Sequence, residues 1–353
     1  MSGNVTLDEL LDILGFIPID LIVYQFVVPT MGVIGIIFCT INACIFFRKP
    51  FNAPADDYFK LISLIYILDS LLSVPYGFCF SPKYFPEMDR HMCAIVLSVY
   101  IPYINLAFHY TGILEIAILL ERMKIFSTIV KTKFTVSPKK VCFLAFLLCV
   151  VIDGFFAFVF EPISGGDFYY FASDGQIKQN TFYFAGTTEF ANSNVGRVLL
   201  IVDYVVRDLF TMITSVTLNV VSIIQMRIYF KKKAAQLQLI SNGVLNISVK
   251  KELKLRKTEK NHLLMVITLC SIEIVSRTIL MTCFIYFLFR IDYIAALFGT
   301  LVDIVLIFVP MVSFFVFYHF NKKFRKEFHK MVCLAKLKNK STSNTSNGMT
   351  VRI

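Results

Sequence analysis

The 353-residue chain lacks most of what marks a soluble enzyme. Only 17% of its residues are charged and 57% are hydrophobic, whereas soluble domains are nearer half apolar and a quarter charged. It has no Gly-rich phosphate loop, no nucleophile elbow and no pair of metal ligands at helical spacing. We therefore expect a polytopic membrane protein and not an enzyme.

Other absences narrow the class further. The chain has no tryptophan, so tyrosine and phenylalanine must supply the aromatic anchors at a membrane interface. Its nine cysteines include no Cys-x-x-Cys motif, and most lie in apolar runs as small buried hydrophobes, so we expect no metal site. Residues 1–21 have no basic n-region, so the first apolar run is expected to act as an uncleaved signal anchor.

Seven apolar runs are long enough to cross a bilayer, which takes about 20 helical residues. They predict an all-α membrane protein, a seven-transmembrane helix bundle. The spans are approximately Leu21–Phe47, Phe59–Phe80, Cys93–Leu120, Val141–Phe160, Val198–Met226, His262–Phe289 and Tyr293–Phe320. The predicted organisation is an amino-terminal arm (1–20), the bundle (21–320), an amphipathic juxtamembrane helix (321–337) and a disordered tail (338–353).

The basic residues set the expected orientation. Lysines and arginines crowd the connections after spans one, three and five and the carboxyl-terminal region, and none precedes Arg48. The positive-inside rule then places the amino terminus outside the cell and the carboxyl terminus in the cytoplasm, with the plasma membrane as the expected location. The net charge of +11 is explained by contact with the anionic inner leaflet of the bilayer, without nucleic acid as a partner.

The third span ends abruptly in Glu121-Arg122-Met123, and charges at the end of a membrane span are costly enough to need a reason. This ending resembles the Asp/Glu-Arg-Tyr end of the third helix in rhodopsin-like G-protein-coupled receptors, with Met123 in place of the aromatic residue. The resemblance implies that Glu121 and Arg122 control activation. In that family the arginine is held by local ion pairing and then meets a heterotrimeric G protein.

Spans one and two each carry a polar residue that fits the same resemblance. Asn42 and Asp69 lie at close to the family's interval, and Leu64 to Asp69 resembles its Leu-x-x-x-Asp signature. A carboxylate this deep cannot stay charged without a partner. The resemblance implies a sodium ion at Asp69, with Thr111 and Ser313 as polar neighbours; the alternative is a neutral Asp69 hydrogen-bonded to Asn42 or Thr111.

Further charged and polar residues interrupt the later spans. Asp203 and Arg207, and likewise Glu273 and Arg277, are spaced i,i+4 and can pair within their helices. Two interpretations stay open: structural pairs facing the bundle interior, or residues lining a polar ligand cavity. The candidate pocket residues are His109, Asp203, Arg207, Glu273, Arg277 and Asp303. For His109 the alternative is a satisfied interior histidine. Arg277 falls near the position where typical family members have their gating tryptophan, and the Cys-Trp-x-Pro motif is absent.

The end of span seven resembles the family in the spacing of its residues more than in their identities. Ser313 and Phe317 replace residues of the Asn-Pro-x-x-Tyr motif and are taken as activation positions, and Phe320 to Arg325 resembles the start of an eighth helix. Cys333 is a candidate for palmitoylation there, with a free thiol as the alternative. The Ser/Thr-rich tail beyond it could be phosphorylated and read by an arrestin.

Two covalent features are expected on the outer side. Asn4 lies in an Asn-x-Thr sequon and is a candidate glycosylation site. The family's disulfide joins the top of helix three to the second outer loop, but residues 161–197 contain no cysteine. The resemblance therefore leaves Cys79 and Cys93 as the candidate pair.

Together these features predict a receptor that passes an extracellular signal, a peptide or a small chemosensory molecule, to a heterotrimeric G protein. The order Tyr100-Ile-Pro102…Asn105 in span three resembles receptors for FMRFamide-like peptides and related invertebrate chemoreceptors, such as nematode serpentine chemosensory receptors. The alternative in another class is a channel subunit or transporter, because intramembrane charges also mark those proteins.

Overall fold

The structure, a computed structural model, describes residues 23–79, 90–124, 136–171, 177–241, 246–288 and 292–333. Within them the apolar runs form helices because a backbone in lipid must satisfy its own hydrogen bonds. The bounds are α1 Val28–Phe46 after a π-helical turn Val23–Val27, α2 Pro54–Cys79, α3 Arg90–Met123, and α4 Pro138–Asp153 continued by a 3-10 turn Gly154–Phe158. Next come α5, α6 Asn246–Leu288, α7 Asp292–Phe320, and α8 over residues 322–333.

Helix α5 is continuous but irregular. It runs from Asn194–Tyr204 through a π-helical segment, Val205–Phe210, into Thr211–Ser241. Its start is fixed by Ser193, whose hydroxyl accepts from Gly196 N at 3.0 Å, the usual way to satisfy a free amide at a helix start. A one-turn helix, Glu189–Asn192, precedes it.

The chain between α4 and α5 forms a two-stranded antiparallel hairpin, which the sequence analysis did not predict. Strand β1, Phe160–Phe171, pairs with β2, Ile177–Thr187, with a register irregularity between Ser164 and Gly166. The hairpin lies against α3 and marks one end of the bundle, called here the hairpin end. The opposite end, where α8 lies, is called the α8 end.

The predicted all-α seven-transmembrane bundle is confirmed, and the protein is a multi-pass membrane protein. Among the described residues, six helices are long and apolar enough to cross a membrane, and α7 adds the shorter apolar stretch Ile307–Phe320. Helix α4 shows the lipid side most clearly, because Phe143, Leu144 and Val151 are each at least 60% exposed on it. Helices α6 and α7 are antiparallel neighbours, as the short connection between them requires.

Close packing of α1 on α2 depends on two glycines. A Cβ at Gly32 would lie 2.6 Å from Ser73 Oγ, and one at Gly35 would lie 2.5 Å from Ser70 Oγ. Small residues let membrane helices approach each other in this way.

At the α8 end an aromatic cluster joins four helices. The Phe317 ring of α7 lies 4.9 Å from Phe46 of α1, 5.0 Å from Phe59 of α2 and 5.6 Å from Phe324 of α8, measured between ring centroids.

Candidate functional site

Arg122 lies at the α8 end of α3, and its ion-pair partner lies on α2. Its Nη2 is 3.8 Å from Asp56 Oδ1, and both side chains are largely buried. Asp56 is itself fixed, because its Oδ2 accepts from Ala53 N at 3.0 Å at the start of α2. Glu121, which precedes Arg122 in the sequence, forms an ion pair with Lys124 instead, with 2.8 Å between Glu121 Oε1 and Lys124 Nζ. The ion pair that holds Arg122 therefore crosses from α3 to α2.

The other two predicted activation positions are buried at the same end. Ser313 accepts from Asn42 Nδ2 at 3.1 Å and donates to the Pro310 carbonyl at 2.6 Å. This pair ties α1 to the turn of α7 that contains Pro310. Phe317 is 3% exposed and lies in the aromatic cluster described above. Both residues therefore sit where α7 meets its neighbours.

Asp69 is buried on α2 without the partners that the sequence suggested. Asn42 is committed to Ser313, and the Thr111 hydroxyl donates to Phe108 O at 3.1 Å within α3. Oδ1 of Asp69 has no hydrogen-bond partner among the described residues. Asp69 and Thr111 nevertheless line one small cavity together with Tyr66. The interpretation of Asp69 as hydrogen-bonded to Asn42 or Thr111 is thus not what the structure contains.

A cluster of charged side chains fills the centre of the bundle towards the hairpin end. We call it the central ion cluster: Arg207 and Asp208 of α5, Glu273 and Arg277 of α6, Asp203 of α5, and Asp153 of α4. Each is at most 2% exposed. Such groups persist in a membrane only when buried in protein and paired.

Arg207 is held within α5 and by α3. Its Nη2 donates to Asp208 Oδ2 at 2.9 Å, and its Nη1 lies 3.2 Å from Asp203 Oδ2 and donates to Asn105 Oδ1 of α3. In a regular α-helix successive side chains point about 100° apart, following from the 3.6-residue period. The π-helical segment Val205–Phe210 widens the turn, and both Arg207 and Asp208 are buried there.

Arg277 crosses from α6 to both α5 and α3. Its Nη2 donates to Glu273 Oε1 at 2.7 Å and to the Phe108 carbonyl at 2.8 Å; its Nη1 donates to Asp208 Oδ1 at 3.2 Å. Asp208 therefore bridges the two arginines. The guanidinium lies over Gly112 of α3, where a Cβ would be 2.0 Å from Nη2.

His109 of α3 lies at the edge of this cluster. Its Nδ1 is 3.0 Å from Asp153 Oδ2, the last residue of α4, and the imidazole is 2% exposed. Of the two interpretations left open for His109, the structure contains the satisfied interior histidine. Cys149, one turn before Asp153 on α4, lies beside both residues.

The pocket candidates are thus brought together, with their arginines directed at carboxylates. Both i,i+4 pairs that the spacing allows are present, Asp203 with Arg207 and Glu273 with Arg277. The side chain of Asp303 lies outside the described residues. Sequence reasoning missed Asp153 and Gly112 and gave Asn105 no role in the pocket, because their partners are on other helices. Asp208 was noticeable as an acid inside a span, but its bridging position was not.

The remaining predicted sites lie at the periphery. Cys79 ends α2 and is buried, but the side chain of Cys93 lies outside the described residues, so the bridge stays a prediction. Asn4 also lies outside them. Cys333 is exposed at the end of the described part of α8, and palmitoylation there stays a prediction.

Helix α8 is attached to α1 through Glu327. Its carboxylate accepts from Lys330 Nζ at 2.6 Å and from Arg48 Nη1 at 3.4 Å. The hydrogen bond from Lys330, and then that from Arg48, lower the pKa of Glu327 below its ordinary value. The side chains of Lys322, Lys326 and Lys330 on α8 are exposed.

The arrangement of helices was compared with known proteins. No protein-family model and no curated protein sequence matches the chain. Among solved structures, the crystal structure of squid rhodopsin matches with a TM-score of 0.62 over 94% of this chain and 92% of that chain, at 14% sequence identity. The fold is therefore that of the rhodopsin-like seven-helix bundle.

Proposed function

We propose that this protein is a G-protein-coupled receptor that transduces an extracellular ligand to a heterotrimeric G protein. The observation that carries the proposal is Arg122. It is a largely buried arginine at the α8 end of α3, held across helices by Asp56. A cation in this position can be released by a small helix movement and offered to a partner at the membrane surface.

The restraint on Arg122 is weak enough to be switchable. At 3.8 Å the Nη2–Oδ1 contact is an ion pair without a hydrogen bond, and the Nε of Arg122 has no partner among the described residues. A bundle whose two states differ by a few kcal/mol shifts when a ligand or a G protein binds one state better. Separation of α2 from α3 frees the guanidinium in the proposed active state.

The central ion cluster is the proposed link to the ligand. It connects α3, α5 and α6 through Asp208 and Arg277, and it lies towards the hairpin end, where a ligand from outside would enter. Because the Nη groups of both arginines are hydrogen-bonded to the protein, a ligand that binds these groups would exchange partners with Arg207 or Arg277. An acidic group on a peptide or a small chemosensory molecule has the required chemistry.

The proposed orientation places the hairpin end outside the cell at the plasma membrane. Arg48, Arg122 and the lysines of α8 lie at the opposite end, which fits a cytoplasmic face. The likeness in motifs to invertebrate peptide and chemosensory receptors supports this class of ligand. An arrestin is the proposed reader of the tail, which begins beyond the described residues.

The test is nucleotide exchange on purified G proteins of each class by the full-length protein in lipid nanodiscs. Asp56→Asn should raise ligand-independent exchange, because it removes the charge that restrains Arg122. Arg122→Ala should abolish exchange in the wild-type and the Asp56→Asn backgrounds, with unchanged surface expression.

Arg48→Ala is the matched control, since Arg48 is also an arginine in an interhelical ion pair at the α8 end. It should leave exchange close to wild type. No exchange with any G-protein class, together with ion conductance in planar bilayers, would refute the receptor proposal in favour of a channel.

We further propose a sodium ion beside Asp69. Its unpaired, buried Oδ1 and the Thr111 hydroxyl line one cavity, and hard cations prefer carboxylate and hydroxyl oxygens. When bound, the ion would neutralise the Asp69 carboxylate.

A further inference from the structure

We propose that the protein binds a zinc-type divalent cation between α3, α4 and α5, with His109, Cys149, Asp153 and Asp203 as the ligands. This site is separate from the sodium site proposed at Asp69 and does not depend on coupling to a G protein. It runs against the expectation from the sequence, which predicted no metal site because it looked for ligands close together in the chain.

Three of the ligands already lie close together. One donor atom each from His109, Cys149 and Asp153 can be chosen so that all lie within 4.8 Å of one another, and all three residues are buried. Cys149 and Asp153 are spaced i,i+4 on α4, so they share a helix face. Donors bound to one tetrahedral zinc, with bonds of about 2.0–2.3 Å, lie roughly 3–4 Å apart. Small side-chain rotations would therefore complete the coordination.

The fourth ligand is indicated by the Asp203 carboxylate, which is ion-paired with Arg207 but makes no hydrogen bond among the described residues. Asp203 is 1% exposed. Its carboxyl group is close enough to that of Asp153 for the two to interact electrostatically. Two carboxylates in contact repel each other unless a proton or a cation lies between them.

The charge balance of the surroundings favours a cation. The buried acids that interact with these ligands are Asp153, Asp203 and Asp208, and the buried bases are Arg207 and Arg277. The acids outnumber the bases by one. Both arginines are engaged by Asp208, Arg207 with further contacts to Asn105 and Asp203, and Arg277 with one to Glu273. A divalent ion would therefore enter a region with excess negative charge, despite the nearby guanidinium groups.

The ligand types select the metal class. A thiolate and an imidazole together suit zinc and other borderline metals, whereas magnesium and calcium prefer oxygen alone. The Cys149 thiol must lose its proton on binding, and this proton passes to solvent. The site would join α4 to α3 and α5 at the hairpin end, close to the central ion cluster.

The test uses the purified full-length protein in nanodiscs, stripped with a chelator and then dialysed against zinc chloride. Elemental analysis should give about one zinc per chain. Cobalt chloride in place of zinc should give the d–d bands of a tetrahedral site and a thiolate-to-cobalt charge-transfer band. Cys149→Ser should abolish the charge-transfer band, and His109→Gln should weaken zinc binding at least tenfold.

Cys142→Ser is the matched control, because Cys142 is the other cysteine of α4 and is not among these ligands. It should leave both the stoichiometry and the cobalt spectrum unchanged. If the wild-type protein shows a cooperative thermal unfolding transition, and is therefore folded, but retains no zinc, the proposal is overturned. A charge-transfer band that survives Cys149→Ser would also overturn it. Either result would indicate that a shared proton, and not a metal ion, relieves the repulsion between the Asp153 and Asp203 carboxylates.

Discussion

Replacing Gly112 by alanine tests whether Arg277 holds α6 against α3. The added Cβ would lie 2.0 Å from Nη2 and 2.9 Å from Cζ of Arg277, which is closer than atoms in contact can approach. Nη2 would have to move away from its two acceptors, Glu273 Oε1 and the Phe108 carbonyl. Each hydrogen bond to a charged group is worth about 1.5–3 kcal/mol, and breaking a buried ion pair costs about 3–5 kcal/mol. We therefore expect Gly112→Ala to destabilise the protein by about 3–5 kcal/mol.

The cost of Gly112→Ala should fall sharply when Arg277 is absent. Arg277→Ala alone should be strongly destabilising, because it leaves the Glu273 and Asp208 carboxylates without their partner. In that background no guanidinium occupies the space beside Gly112, and alanine is favoured over glycine inside a helix by about 1 kcal/mol, although the added Cβ still lies 3.2 Å from Thr211 Cγ2. Gly112→Ala should then cost far less in the double variant than in wild type, which is a strong coupling between the two positions.

Thermal unfolding in detergent can be followed with a thiol-reactive dye, because Cys39, Cys149 and Cys270 are buried and become reactive only when the bundle opens. The control is Gly154→Ala, since a Cβ at Gly154 meets nothing within 4 Å. If Gly112→Ala lowers the midpoint equally with and without Arg277, the contact between α3 and α6 is not the reason, and the described role of Arg277 is refuted.

Three further predictions concern other parts of the bundle. Phe317→Ala should cost about 3–5 kcal/mol as a buried aromatic truncation, whereas Phe315→Ala, 55% exposed two residues earlier, should cost little in the same unfolding assay. Because the pKa of Glu327 is lowered in the folded protein, its contribution to stability is present above its ordinary pKa and is lost as the pH falls through the lowered value. Glu327→Gln should therefore make the thermal midpoint less sensitive to acid; an unchanged pH profile would count against the attachment of α8 to α1 by this carboxylate. Sodium chloride should raise the midpoint of wild type more than choline chloride does, and Asp69→Asn should remove that difference; equal effects of the two salts on wild type would contradict the proposed sodium site.

The helices could be predicted from the sequence because the bilayer constrains them so strongly. A run of about 20 apolar residues has to be a helix in lipid, and three residues between Leu288 and Asp292 leave no choice but antiparallel neighbours. The i,i+4 pairs were equally local, since their geometry follows from the helix itself.

The hairpin was missed although its sequence carried a signal. The strands contain the aromatic stretches Phe168–Phe171 and Thr181–Phe184, and aromatic and β-branched residues favour strands. The segment's lack of cysteine gave no hint of strands, but these stretches did. A hairpin was therefore predictable here, but its register was not, because that depends on the irregularity between Ser164 and Gly166.

The tertiary partners of the buried charges were beyond sequence reasoning. The sequence gives the order of acids and bases along each helix but not the rotation of one helix against another. The π-helical segment of α5 adds to this difficulty. It changes which residues face inward after Tyr204, and no residue type in Val205–Phe210 predicts it. The bridge from Asp208 to Arg277 and the contact of His109 with Asp153 follow from these rotations.

The two ends of the bundle differ in how firmly charge holds them, and this difference indicates where the helices separate. Towards the hairpin end, Arg277 alone makes hydrogen bonds to α3, to α5 and within α6, all at 2.7–3.2 Å. At the α8 end, the charge contact between α2 and α3 among the described residues is an ion pair at 3.8 Å, which is longer than a hydrogen bond and therefore weaker. The interaction free energy that changes when partners exchange in the central ion cluster is therefore larger than the interaction free energy of the Arg122–Asp56 pair. Movement that starts at the hairpin end should for this reason appear first as separation at the α8 end.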